Sequence, residues 1–133
     1  MHDSVELLKK LQVKAGARLW LINVPEHFAE ALTAGAEVEP VRHGDPFDGA
    51  IAFCLNPIEV ESFADQILPG LPEDGLLWFA YRKGAAGAKA GLTRDTGWEA
   101  IKSRGFDTVR SIAIDDEWTG LRFRHDSMVK ARR

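Results

Sequence analysis

Hydrophobic residues along this chain fall into short blocks whose period changes between about two and about four, and those blocks define a sequence of strands and helices. Val5, Leu8 and Leu11 share one helical face from Ser4 to Gln12, with Asp3 as cap and Glu6 behind it. Arg18 to Val24 is almost continuously apolar, as expected of a strand covered on both faces. Pro25 to Ala34 reads as a helix with Phe28 and Leu32 one turn apart and Gly35 as its stop. Ala36 to Arg42 alternates less cleanly and suits an edge strand. After the Asp45-Pro46 turn, Asp48 to Leu55 is a third, buried strand.

Asn56, Pro57 and Glu59 form a strong helix start of cap, first-turn proline and reciprocal carboxylate. Val60, Phe63, Ala64, Ile67 and Leu68 give that helix its buried face. Pro69-Gly70 and Asp74-Gly75 bracket a turn, and Gly75 to Tyr81 is the fourth apolar strand. Residues 84–91, rich in glycine and alanine, carry no periodicity and read as a loop. A helix is expected from Thr93 or Asp95 to Ser103, anchored by Trp98 and Ile101 and ended by Gly105. Asp107–Ile114 and Trp118–His125 are two strands joined too closely for a parallel crossover, so they form an antiparallel hairpin. The order predicts a Rossmann-like three-layer α/β domain over residues 1–133. Its sheet has about six strands, mostly parallel, and ends in an antiparallel hairpin.

Composition narrows the setting. No apolar run in the 133 residues approaches the ~20 needed to span a bilayer, and the N-terminus lacks the apolar centre of a signal peptide. The single cysteine, Cys54, cannot form an internal disulfide, which points to a reducing cytoplasm. The net charge of −3 conceals a basic second half: residues 1–70 sum to −6 and residues 71–133 to +3. Those cations are scattered over several elements, which disfavours nucleic acid as a partner.

In open α/β sheets a ligand sits beyond the carboxyl ends of the strands, where the strand order reverses. With the first and third strands flanking that point, Asn23, Val24, Cys54, Leu55 and Asn56 line the crevice. Glu26 opens the following helix, Arg42-His43 borders one side, and Tyr81-Arg82-Lys83 borders the other. The turn after the first strand, Asn23-Val24-Pro25-Glu26, contains no glycine, whereas a nucleotide-binding turn uses G-x-G-x-x-G to approach a pyrophosphate. Arg82, Lys83, Lys89 and Arg94 surround the expected small-residue loop and could close on a phosphate or carboxylate, with Arg42, Lys83 and Arg94 as clamps. The loop lacks Walker spacing. Cys54 reads as a buried hydrophobe rather than a nucleophile. Asp115-Asp116-Glu117 reads as a solvated turn, with Asp116 or Glu117 free to pair with Arg122 or Arg124 across the hairpin. His2 and His125 have no partner at metal-ligand spacing, so neither catalytic nor metal-binding residues are assigned.

Arg18–Glu26, Phe47–Ala52, Leu68-Pro69-Gly70 with Gly75–Trp78, and the terminal hairpin resemble class I S-adenosylmethionine-dependent methyltransferases. In that fold the last strand is antiparallel and inserted beside its neighbours. Tyr81–Gly84, Leu92–Asp95 and Ile114–Phe123 are similar to a family of short bacterial proteins whose role is not established. The resemblance implies a Rossmann-like fold. It also shows departures: methyltransferases carry a glycine-rich first turn and an acidic residue closing the second strand, to take the ribose hydroxyls. Here that strand closes with Val41-Arg42, Glu39 lies mid-strand, and no room remains before Asp48 for an additional helix and strand. The expected function is therefore a non-catalytic ligand-sensing or protein-interaction module, without cofactor, whose partner is a small anionic ligand or a protein. The alternative is a small methyltransferase-like enzyme with an atypical S-adenosylmethionine site.

Overall fold

The computed structural model describes residues 9–42 and 44–127. Most of the helix expected at Ser4–Gln12 lies outside the described residues, as do His2 and His43. Six strands form one sheet: β1 (Arg18–Ile22), β2 (Glu39–Val41), β3 (Gly49–Phe53), β4 (Leu76–Arg82), β5 (Phe106–Ala113) and β6 (Trp118–His125). Their spatial order is β2-β1-β3-β4-β6-β5. β1 pairs in parallel with β2 and β3, and β3 with β4, in a register that sets Trp20 beside Ala50 and Ile51 beside Trp78. β6 is antiparallel to both of its neighbours, so it inserts between β4 and β5 as the one reversed strand.

The alternation of side chains along each strand divides the core into two layers. On one face Trp20, Ala50, Ala52, Phe79, Leu121 and Phe123 meet the buried stripe of helix α2 (Pro57–Ile67), namely Val60, Phe63, Ala64 and Ile67. On the other face Leu19, Ile51, Phe53 and Trp78 meet Phe28 and Leu32 of helix α1 (Glu26–Gly35) and Leu11. Trp78 also donates its indole N–H to the Leu11 carbonyl at 2.9 Å, satisfying a fully buried polar group. This is a mixed, mostly parallel α/β sheet with helices on both faces, as the hydrophobic pattern predicts.

Two segments differ from expectation. Residues 84–91 are not a loop: Gly84–Ala90 is helix α3, closed by Gly91 in the left-handed region at φ 96°. Alanine has the highest intrinsic helix propensity, so a stretch with no apolar stripe can still coil. Gly87 lies against β4, where a Cβ would come 2.0 Å from the Arg82 carbonyl oxygen. Conversely, the helix expected from Thr93 or Asp95 begins only at Glu99, as α4 (Glu99–Lys102). Thr93 diverts the chain, its Oγ1 accepting from the Asp95 and Thr96 amides while its carbonyl accepts from the Trp98 indole at 2.7 Å.

The two sheet edges are short or interrupted. β2 has three residues and contains Pro40. β5 carries a register shift between Thr108 and Arg110 that leaves Val109 unpaired and 41% exposed. The hairpin turn is closed by the Asp115 carboxylate, which accepts from the Glu117 and Trp118 amides at 2.8 Å each. Arg124 does not pair with the turn carboxylates. It makes a two-pronged bond to Asp74, with Nε donating to Oδ1 at 2.8 Å and Nη2 to Oδ2 at 2.5 Å.

Candidate functional site

The strand order reverses between β1 and β3, the point where open α/β sheets place a ligand crevice, and Ile22 lies beside Ala52 where those two strands end. Leaving β1, the chain turns through Asn23 at φ 55°, a left-handed conformation that asparagine tolerates better than most residues. Val24 and Pro25 are half-buried, and Val24 packs on the core. The Pro25 carbonyl starts α1 by accepting from the Phe28 and Ala29 amides at 3.0 and 2.9 Å. The first-turn residue, Glu26, is exposed. A carboxylate there complements the helix dipole, and by the same charge it repels a phosphate.

On the β3 side, Cys54 is fully buried and its amide extends the β3–β4 ladder by donating to the Ala80 carbonyl at 2.8 Å. Burial, with a smaller contribution from the Glu59 carboxylate, pushes its thiol far above the ordinary cysteine range, so it is held protonated. Asn56 Oδ1 accepts from the Glu59 amide at 2.9 Å, while Glu59 Oε1 accepts from the Leu55 amide at 2.7 Å. The asparagine at the crevice is thus engaged in starting α2. Beside it, Leu55 and Ile58 are 48% and 79% exposed, an apolar rim at this strand end.

At the end of β4 the Tyr81 ring is buried edge-on against Trp98, with centroids 5.7 Å apart. Burial raises the Tyr81 hydroxyl above its ordinary range, opposed by a hydrogen bond with Thr119 and by the positive charge of Arg94. Arg82 stacks over Trp118 at 5.4 Å, and the Lys83 amide donates to the Glu117 carbonyl at 2.9 Å. At the end of β2, Arg42 closes a turn with Asp45, its amide donating to Asp45 Oδ2 at 3.1 Å, and its side chain is exposed.

Strand order therefore sorts the residues expected at the site. Asn23, Cys54 and Asn56 follow the two adjacent strands at the reversal, with Glu26 on the helix behind Asn23. Tyr81 and Arg94 come together with Thr119, and Lys83 follows β4. Arg42 stands on the opposite flank, three strand spacings or ~14 Å of backbone from β4. Thr119 and Ile58 were not among the expected residues. Ile58 was legible, because it falls off the Val60–Phe63–Ala64–Ile67 stripe. Thr119 was not, since it reaches Tyr81 only through the β4–β6 register.

A sheet of this order, with its strand order reversing between β1 and β3 and one reversed strand inserted between β4 and β5, is a Rossmann-like fold of the methyltransferase type. Solved structures with the same fold bear this out. The N-methyltransferase NodS from Bradyrhizobium japonicum, in complex with S-adenosyl-L-homocysteine, matches with a TM-score of 0.52 at 12% identity, over 92% of this chain and 85% of that one. The fibrillarin/Nop5p complex gives a TM-score of 0.57 at 11% identity, over 91% and 79%. An NADB-Rossmann superfamily protein from Streptococcus agalactiae gives 0.53 at 11% identity, over 94% and 69%. No protein-family model and no curated protein matches the chain.

Proposed function

We infer that this protein is a non-catalytic Rossmann-like module, a ligand sensor or protein-interaction domain, that keeps the methyltransferase frame without its nucleotide grip. The observation that carries this reading is the head of α1, where Pro25, which has no amide N–H, and exposed Glu26 stand in place of glycines. Other features support it. Arg42, not an acid, follows β2; Asn56 is occupied as a helix cap; Cys54 is sealed in the core. The exposed Leu55 and Ile58 beside the crevice favour contact with a partner. Arg94, whose charge acts on Tyr81, and Lys83, which follows β4, favour a small anion if the occupant is a ligand. The reading treats residues 1–133 as one domain of a bacterial, cytoplasmic protein. The one cysteine is free and buried, which suits a reducing compartment, and among the described residues no helix is long and apolar enough to cross a membrane.

The test is a thermal-shift titration with S-adenosylmethionine, S-adenosylhomocysteine, NADPH and ATP. A ligand at about 100 times its Kd adds roughly 2.7 kcal/mol, which moves the midpoint by several degrees. No shift with any of the four is expected. A saturable shift with S-adenosylhomocysteine would overturn the reading in favour of its rival, a small methyltransferase-like enzyme with an atypical cofactor site. That rival draws its support from the strand order and from NodS, whose structure contains S-adenosyl-L-homocysteine.

A further inference from the structure

The end of the sheet opposite the crevice, where the parallel strands begin, carries a cleft of about 650 Å³. It lies between the segment entering β1 and the loop entering β4, and Lys14, Ala17, Asp48, Pro72, Glu73 and Leu76 are among its lining residues. Its volume is within the range of small-molecule sites, roughly 300–1,000 Å³. The backbone around it is unusual. Gln12 (φ 60°), Gly16 (φ 76°) and Asp74 (φ 53°) all line this cleft, and two of these left-handed residues are not glycine. Such conformations persist only where the surrounding structure holds them in place.

The charges in the cleft divide into those already engaged and those available. Asp48 accepts from the Arg18 amide at 2.9 Å and from its Nη2 at 3.2 Å, Asp74 is held by Arg124, and Arg122, which also lines the cleft, donates from Nη1 to Gln12 Oε1. Lys14 and Glu73 are exposed and have no partner among the described residues. They project from segments leading into β1 and β4, which are separated by two strand spacings, ~10 Å. Between them Ala17, Pro72 and Leu76 provide apolar surface. A cation and an anion without partners among the described residues, Lys14 and Glu73, set over an apolar floor, fit a ligand with the reverse pattern.

We propose that this cleft binds a small zwitterion with an aliphatic side chain, an amino acid or short peptide. The ligand's ammonium meets the Glu73 carboxylate, its carboxylate meets the Lys14 ammonium, and its side chain lies on Ala17, Pro72 and Leu76. This site is independent of the crevice at the other end of the strands. Amide chemical shifts of the full chain, titrated with L-leucine and with glycyl-leucine, test it and distinguish the two sources. Saturable shifts of the Gly16, Gly75 and Leu76 amides are expected with at least one of them. Binding should weaken roughly three-fold or more with N-acetyl-leucine, with leucinamide, and on Lys14→Glu or Glu73→Lys, the scale of an exposed charge contact, while Lys14→Arg retains it. The proposal is overturned if neither zwitterion gives a saturable shift, if the blocked analogues bind equally well, or if binding ignores both charge reversals.

Discussion

Replacing Gly87 with alanine is the sharpest test of how the basic segment after β4 is held. In a helix exposed to solvent this change stabilises by about 1 kcal/mol, because alanine has far less backbone entropy to lose. Here the added Cβ would stand 2.0 Å from the Arg82 carbonyl oxygen and 2.8 Å from that of Leu92. Restoring an ordinary contact of about 3.4 Å requires α3 to move by roughly 1.4 Å, and such overpacking costs typically 1–3 kcal/mol. The same movement strains the bond from the Leu92 amide to the Gly87 carbonyl, now 2.9 Å. The net expectation is a loss of roughly 1–2 kcal/mol, or about 3–10 °C in Tm for a chain of this size. Urea unfolding of Gly87→Ala beside Ala86→Gly, an exposed position in the same helix, reads both signs: both should destabilise. If Gly87→Ala is neutral or stabilising, α3 does not lie against β4, and Lys83 and Lys89 belong to a mobile flap instead.

Asn56→Ala removes the Oδ1 acceptor of the Glu59 amide and should cost about 1 kcal/mol by urea titration, with Asn56→Asp close to wild type. Asn23→Gly should leave stability unchanged or raise it, while Asn23→Val, forced to φ 55°, should lose roughly 1–2 kcal/mol; equal stability of the two would show that the turn is not left-handed. The Arg18 amide and guanidinium hold the Asp48 carboxyl below its ordinary range. A depressed folded-state pKa means its stabilising effect is present above the unfolded value near 4 and is lost as pH falls through the folded one, so Asp48→Asn should flatten the acid limb of the stability curve below about pH 4. Cys54 should resist a thiol reagent at pH 8 in the native protein and react stoichiometrically in denaturant; rapid native labelling would contradict its burial.

The elements that could be read from sequence are those whose burial pattern is strong. β1, β3 and β4 are buried on both faces and appear as apolar runs, and α2 announces itself through Asn56, Pro57 and Glu59 as well as its stripe. The insertion of β6 between β4 and β5 follows from the resemblance and not from periodicity, since a hairpin alone does not say which of its strands joins the sheet. α3 was hidden because its helicity comes from alanine content and a glycine cap, neither of which leaves a hydrophobic face. The late start of α4 was hidden for the opposite reason: Trp98 and Ile101 gave a helical spacing, but the Thr93 turn and Gly97 at φ 97° claimed the residues before Glu99. At the site, strand ends were legible and side-chain engagement was not. That Asn56 is used as a cap follows from α2, whereas the meeting of Tyr81, Arg94 and Thr119 depends on loop and register geometry that no local spacing encodes.

The interrupted margins of the sheet limit how this molecule can meet others. Pro40 deprives β2 of an amide donor, and the three-residue strand offers little length for an added one. At the other margin the bulge at Val109 bends β5, and Asp107 takes up the Thr108 amide at 2.9 Å. Both borders are poor templates for strand addition, which disfavours backbone-to-backbone growth into fibres or swapped sheets. That favours recognition through side chains at the two poles of the strands, with exposed Leu55 and Ile58 at one pole and the cleft framed by Gln12, Gly16 and Asp74 at the other.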